Sequence, residues 1–238
     1  MLDFKMDFAE PIITLIEPIK IFPHLYYVIY MPIIAKGAEA TISLDGKEIV
    51  KERVKKSYRL QQLDEALRRR RNRSEAALMR EARRAGVVVP QIVEEKDFSI
   101  KMEFVDGDKV RDMINEGNCI EISRHIAEAI AKLHSKNIVH GDLTTSNMII
   151  KHIAQTDARS ASQQIYFIDF GLGFFSPRVE DKAIDLHLLH EALESTHFNI
   201  LEKAWYAILE VYKNACSDGG KVIKTLAEIE KRGRYRER

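Results

Sequence analysis

The chain has little that could staple a fold or carry it into a membrane. Only two cysteines occur, Cys119 and Cys216, far apart and in no CxxC pair. Neither a disulfide framework nor a structural zinc site is indicated, and a reducing cytoplasm fits. The most apolar stretch, residues 11–34, is interrupted by Glu17, Pro18, Lys20 and Pro23. That excludes a transmembrane helix, and with no basic start or small-residue cleavage site no targeting segment is expected. No internal repeat is present. Neither sign of charge prevails, since 37 Lys and Arg against 36 Asp and Glu leave a net charge of +1, which by itself says nothing of a partner. What is present suffices for a sizeable core, with 45% hydrophobic residues over 238 positions.

The even total hides an uneven distribution. Residues 51–84 hold 13 Lys and Arg against 5 Asp and Glu, and the last eight residues hold five bases against the single acid Glu237. Such patches attract phosphate backbones or acidic protein surfaces, and a solvated helix face is the bland alternative.

Residues 1–30 read as an extension without assignable structure, or as a product of an upstream start codon. From residue 31 the pattern is legible. Strands are expected at Ile33–Ala35 and Ala40–Leu44, then Glu48–Arg53 after an Asp45-Gly46 turn signal. A long basic helix over about 62–85 ends at Gly86, ahead of Pro90. Strands near Gln91–Glu94 and Ser99–Phe104 lead to Asp106-Gly107, a break between a sheet-bearing lobe and a helical one. Ile122, Ile126, Ala129, Ile130 and Leu133 recur at helical spacing, a core-facing stripe. Two short strands, Met148–Lys151 and Ile165–Ile168, flank a polar insert at Gln155–Gln164. Helices follow at about Lys182–Glu194, Ile200–Asn214 and Lys221–Lys231, and Trp205 and Tyr206 read as core packing. The expected organisation is an α+β, two-lobed fold, with a small antiparallel-sheet lobe carrying a helix and a mainly helical second lobe. Its parts are an extension (1–30), an N-lobe (31–105), a C-lobe (106–231) and a basic tail (232–238).

The chemistry is carried by His140-Gly141-Asp142-Leu143-Thr144-Thr145-Ser146-Asn147, with Asp169-Phe170-Gly171 placed 22 residues after the asparagine. An Asp, an Asn five residues on, and a later Asp-Phe-Gly are how eukaryotic-type kinases arrange phosphoryl transfer, so the two lobes are expected to form a trimmed two-lobed protein-kinase-like fold. Asp142 is the candidate general base, and Asn147 and Asp169 are the candidate magnesium ligands. Lys51 stands where a strand lysine pairs with the α- and β-phosphates of ATP, with Lys55 and Lys56 nearby. Its helix partner is Glu75 or Glu81, and Glu75 is preferred because it lies nearer the start of an Ala-rich run. Met102, Glu103 and Val105 occupy the hinge that would bond adenine.

The phosphate-covering segment is poor in glycine. Only Gly37 is present, followed by Ala38, Glu39 and Ala40, and Glu39 places an acid where phosphate would lie. Either magnesium offsets it or this loop binds nucleotide differently. Two further departures concern regulation and substrate. Gly141 stands where many regulated kinases have an arginine, and Thr144 where Ser/Thr kinases place a lysine. Asp185 lies only fourteen residues after Gly171, with no Ala-Pro-Glu between, which leaves little platform for an extended peptide. His187, His190 and His197 with Glu191 and Glu194 lack a convincing metal-ligand pattern and read as core or surface residues. Asp185 is expected to brace the backbone of the Asp142 loop.

Five separated motifs resemble one family. They are Lys36-Gly37-Ala38-Glu39-Ala40, Lys51-x-Arg53-x-x-Lys56-x-Tyr58-Arg59, His140 through Asn147, Glu180-Asp181-Lys182-Ala183-x-Asp185-Leu186, and Ser195-Thr196-His197. Together, from about Met31 to Arg238, they look like the small atypical kinase of the KEOPS (EKC) complex, the PRPK-type family related to RIO kinases. With ATP and Mg2+ as cofactors, the latter at Asn147 and Asp169 as read above, the resemblance implies ATP hydrolysis that supports threonylcarbamoyladenosine modification of tRNA, with autophosphorylation or Ser/Thr kinase activity in isolation. It implies a sugar-kinase-fold threonylcarbamoyl-transferase partner, a small regulatory subunit on the small lobe and tRNA within the complex, while the cysteines and the broken apolar stretch read above fit a cytoplasmic setting and no membrane. The basic end, Arg232, Arg234, Tyr235, Arg236 and Arg238, is expected to reach toward the partner enzyme and tRNA. A conventional Ser/Thr kinase and a non-catalytic scaffold are the alternatives. The short platform with Gly141 and Thr144 argues against the first, and the intact Asp142, Asn147, Asp169 and Lys51 argue against the second.

Overall fold

The computed structural model describes residues 19–22, 25–27, 31–151 and 164–234. It divides into two compact units, Met1–Asn72 with Ile92–Phe104 and Arg73–Gln91 with Val105–Arg238.

In the first unit, β1 (Ile19–Phe22) and β2 (Leu25–Tyr27) form a separate antiparallel hairpin within the stretch read as an extension. Five strands form the main sheet: β3 (Ile33–Lys36), β4 (Ala40–Asp45), β5 (Glu48–Arg53) and, after helix α1 (Gln61–Arg84), β6 (Ile92–Glu95) and β7 (Ser99–Glu103). Their order is β3-β4-β5-β7-β6, antiparallel throughout. Side chains alternate as a pleated strand requires, so Ile100 and Met102 of β7 are buried while Lys101 points to the other face. There the Lys101 ammonium lies 2.7 Å from Asp45 and 2.8 Å from Glu48, and hydrogen bonds to these two carboxylates hold its pKa above the usual lysine value.

The first half of α1 is tied to this sheet by polar groups. Buried Asp64 accepts from Arg68 Nε at 2.7 Å and from the Lys56 amide at 3.2 Å. The Arg68 guanidinium lies 4.0 Å from the centre of the Phe98 ring. Buried Asn72 donates to the carbonyls of Lys96 (2.7 Å) and Ser99 (3.2 Å), spanning the β6–β7 turn. The helix stops where expected, since Gly86 takes a left-handed φ of 80° and Val87 N returns to Ala82 O at 3.0 Å.

The second unit continues with β8 (Gly107–Lys109), α2 (Val110–Met113), α3 (Cys119–Ser135), β9 (Ile138–Val139), β10 (Met148–Lys151), β11 (Ile165–Phe167), β12 (Phe174–Phe175), α4 (Val179–Thr196), α5 (Leu201–Ala215) and α6 (Gly219–Arg234). Two small sheets, β11-β10-β8 and β12-β9, flank a helical core in which α3 packs on α5 and α4 on α6. The α3 stripe is as expected for Ile122, Ile126, Ile130 and Leu133, all fully buried, whereas Ala129 is half-exposed and Ala127 and Ala131 take the inner positions.

Three expectations change. Tyr206 is not core: it is 71% exposed, because its position on α5 faces outward while Ala204, Ala207, Ile208 and Tyr212 face in. Trp205 is half-buried with its ring centre 4.7 Å from that of His190. Helix α6 continues through Arg234 rather than ending at Lys231, so Arg232 is helical and exposed. Residues 1–18, most of the 155–164 insert, and Tyr235, Arg236 and Arg238 lie outside the described residues. No helix among the described residues is long and apolar enough to cross a membrane.

Candidate active site

The loop from His140 to Asn147 is built by the elements on either side of it. Helix α3 ends at Ser135, Asn137 turns the chain with a φ of 57°, and buried β9 delivers it to His140. A short 3₁₀ turn over Thr145–Asn147 then feeds β10, which pairs antiparallel with β11, Met148 opposite Phe167. Because the hairpin begins at Asn147 and ends just before Asp169, its register brings these two together. The Ile168 amide donates to Asn147 O at 3.0 Å.

Asn147 is also bound to Asp142. Its Nδ2 donates to Asp142 Oδ2 at 2.8 Å and to Asp142 O at 2.9 Å. Both amide protons are thereby committed to Asp142, and Asn147 Oδ1 is the side-chain atom that could ligate a cation. Asp169 is exposed and adopts a left-handed φ of 61°, with Oδ1 accepting from Gly171 N at 3.1 Å. The backbone at Asp169 is thus held in a sparsely populated conformation, as is common where a side chain must be aimed. The structure thus places Asn147 against Asp142 in the second unit, with Asp169 next to the Ile168 whose amide bonds Asn147.

Beneath the loop lies a buried polar brace. Asp185 of α4 accepts from the amides of His140 (2.8 Å) and Gly141 (2.9 Å). It also meets His134 Nε2 at 3.2 Å, while His134 Nδ1 lies 2.7 Å from the Tyr212 hydroxyl on α5. Burial pushes the Asp185 carboxyl up, but the hydrogen bond from His134 and the neighbouring donors outweigh it, and its pKa is held below the usual value. Burial pushes the Tyr212 hydroxyl above its usual range. Asp185 was anticipated from the sequence; His134 and Tyr212 were not. A His in a helical stripe and a Tyr in a later one carry no signal that they face each other 78 residues apart.

His140 is fully buried, its Nε2 3.1 Å from Ile168 O and its ring 4.6 Å from that of Phe170. Burial holds its pKa below the usual histidine value, against the opposing pull of Asp185. Gly141 is explained by space and backbone rather than by a missing arginine. Its φ is 77°, and a Cβ there would lie 2.3 Å from Leu172 O. The chain after Asp169 passes so close that no side chain fits.

That segment is short and firmly held. Phe174 and Phe175 pair with Val139 and Ile138, and Ser176 N donates to Asn137 O at 2.8 Å. Ser176 Oγ donates to Asp181 at 2.5 Å, and buried Lys182 donates to Asn137 Oδ1 at 3.1 Å. Helix α4 begins at Val179, so eight residues, 171–178, replace a substrate platform.

The remaining site residues have definite environments in their own units. Lys51 is buried on β5, and Ile42 and Ile100 are its register partners. Glu75, on α1 in the second unit, is 1% exposed, whereas Glu81 is half-exposed and pairs with Arg84. Met102 is buried on β7 with Ile49 and Ile92 as register partners, Glu103 is half-exposed, and Val105 is buried in the second unit. The Gly-poor turn is closed by Gly37 N to Ala40 O at 2.9 Å. Gly37, Ala38 and Glu39 are exposed and Ala40 is half-exposed. Arg71 of α1 pairs with the Glu39 carboxylate, and Lys56 Nζ donates to Ala38 O. The acid that looked out of place thus has a guanidinium beside it, from a helix 32 residues on.

Among the described residues no group of three or more His, Cys, Asp or Glu side chains is placed to hold a metal. His187 faces Glu191, and His197 is buried against Thr145. Asn147 and Asp169 supply hard oxygen donors on adjacent ends of one hairpin. That suits Mg2+, which is held by one or two protein ligands with phosphates and water completing its octahedron.

A sheet-bearing unit, a helical unit and an Asp-Asn-Asp constellation define the class as a kinase. The protein kinase domain family model matches residues 34–184. The Rio2 kinase of Chaetomium thermophilum, solved as an ADP/Mg2+-phosphoaspartate complex, shares the fold with a TM-score of 0.56 at 20% identity, covering 86% of this chain and 70% of that one. The chain is 38% identical to the KEOPS complex subunit Bud32 of Pyrococcus abyssi over 225 residues, 87% of this chain and 98% of that protein. It belongs to the Bud32 kinase family. It is also 41% identical over 208 residues to a bifunctional tRNA threonylcarbamoyladenosine biosynthesis protein of Methanosarcina mazei, covering 85% of this chain. The chain spans 35% of that relative's length.

Proposed function

We propose that this chain is an ATP-hydrolysing atypical Ser/Thr kinase that serves as the switch subunit of a KEOPS assembly and supports threonylcarbamoyladenosine formation on tRNA. The observation that carries the catalytic reading is the bonding of Asn147 to both the carboxylate and the carbonyl of Asp142, with the Asn147 carbonyl bonded to the residue before Asp169. In this reading Asp142 accepts the proton of water or of a Ser/Thr hydroxyl as its oxygen attacks the γ-phosphorus of ATP and ADP departs. Mg2+, held by Asn147 and Asp169, would supply charge neutralisation on the phosphates. Lys51 would hold the α- and β-phosphates. Met102, Glu103 and Val105 would bound adenine, and residues 37–40 would cover the phosphates.

Family membership and the names of the relatives support the KEOPS role. The seven residues between Asp169-Phe170-Gly171 and α4 support water or a hydroxyl on an associated protein as acceptor, over an extended peptide. The partners in this reading are the sugar-kinase-fold transferase, the small regulatory subunit and tRNA, in the cytoplasm. The test is phosphate release from ATP by the purified chain, alone and with the transferase plus tRNA. Asp142→Ala and Asp169→Ala should each lower turnover at least about 100-fold while transferase binding persists. Turnover surviving in both variants would overturn the site.

A further inference from the structure

Helix α1 carries eight arginines and no lysine, and six of the eight fall into two sets. Arg68, Arg69 and Arg71 are used within the first unit, on Asp64, Asp97 and Glu39 respectively. Arg73, Arg80 and Arg84 follow a different rule. They recur at i, i+7 and i+11, with Ala77 between them at i+4, so all four positions lie on one face of the helix. Every one of these positions is exposed, while Glu75, Ala76, Leu78, Met79 and Ala82 occupy the buried side. The stripe is about 16 Å long at 1.5 Å per residue. At its lower end Lys132 of α3 donates to Gly86 O at 3.5 Å, which adds an exposed ammonium to the same surface.

Two ordinary explanations are insufficient. A helix C-terminus favours cations within its last turn, which covers Arg84 but not Arg73, three turns inside. Arg84 pairs with Glu81 at the surface, and Arg73 and Arg80 have partners within the chain. The exposed Arg84–Glu81 pair is weak, and a guanidinium carries five donors.

We propose that the Arg73–Arg80–Arg84 face of α1, extended by Lys132, binds the phosphate backbone of RNA. Arginine without lysine suits bidentate phosphate recognition. The stripe carries no aromatic or large apolar anchor, with Ala77 its only apolar member, whereas protein interfaces concentrate their affinity in such anchors. A linear row of cations on a rigid rod therefore fits a phosphate chain better than an acidic protein. The stripe uses none of the residues assigned to phosphoryl transfer, so it deepens the tRNA part of the proposed function and fails or stands separately from Asp142.

The test uses the full chain and a tRNA transcript, with affinity measured by fluorescence anisotropy between 50 and 200 mM salt. Arg73→Gln/Arg80→Gln/Arg84→Gln should weaken binding at least about tenfold and lower the slope of log affinity against log salt by about 2, since each phosphate contact contributes about 0.7–0.9. Replacing the same three by lysine should cost less, because charge is kept and the bidentate geometry lost. Both variants should retain the circular dichroism and ATP turnover of the parent. An unchanged affinity and slope in the glutamine variant would overturn the proposal. So would polyglutamate competing as well as tRNA at equal charge concentration, which would identify an acidic protein as the partner.

Discussion

At the scale of single residues, the loop is set by groups that do no chemistry. Gly141 is where the two strands of β9 and β12 draw the chain so close that a Cβ would strike Leu172 O, and its positive φ adds the same demand. His140 beside it is buried with its pKa held down, so the folded chain keeps a neutral ring. The unfolded chain protonates that ring below about pH 6.5. Protons therefore bind the unfolded state preferentially, and stability rises with pH across this window and is lost as pH falls through it. His197, also buried and also lowered, adds with the same sign. Urea denaturation at pH 7, 6 and 5 should show a falling unfolding free energy, and His140→Gln should flatten the dependence by up to about 1.4 kcal/mol per pH unit. An identical slope in the variant would contradict the buried neutral assignment.

At the scale of elements, three helices meet the loop through one line of hydrogen bonds. Tyr212 on α5 reaches His134 on α3, which reaches Asp185 on α4, which holds the amides of His140 and Gly141. All three side chains are 0–1% exposed, so removing one partner strands another without water. Tyr212→Phe keeps the ring and removes only the hydroxyl. It should cost about 1–3 kcal/mol of stability by denaturant unfolding. A loss below about 0.5 kcal/mol would show that His134 needs no partner there. The element boundaries were readable where chain chemistry is local. Gly86 ended α1, and Asp45-Gly46 turned β4 into β5. They were less readable at α6, where Gly233 interrupts the helical pattern yet the helix runs on to Arg234. Tyr206 was misassigned because a Trp-Tyr pair looks apolar, although adjacent helical residues point about 100° apart and only one can face inward.

At the scale of the whole molecule, the basic charge falls into separate roles. Three arginines of α1 pair with acids of the first unit, the outer stripe faces solvent, and Arg232 lies exposed on α6 near the chain's end. Deleting residues 232–238 should weaken association with the transferase or tRNA more than it weakens nucleotide binding, measured by pull-down and by titration with an ATP analogue. Equal tRNA-dependent ATP turnover with and without these residues would count against a role for that end.

Asp142, Asn147 and Asp169 could be read from the order of residues because their spacing is local to one loop and one hairpin, and backbone geometry converts that spacing into proximity. The same holds for Asp185, whose distance from the loop is bridged by a helix that must pack beneath it. His134, Tyr212 and the Arg71–Glu39 pair could not be read this way. Each joins positions on different elements, and only the packing of helix on helix, or of helix on sheet, decides which polar side chains share a buried space and which are left to water.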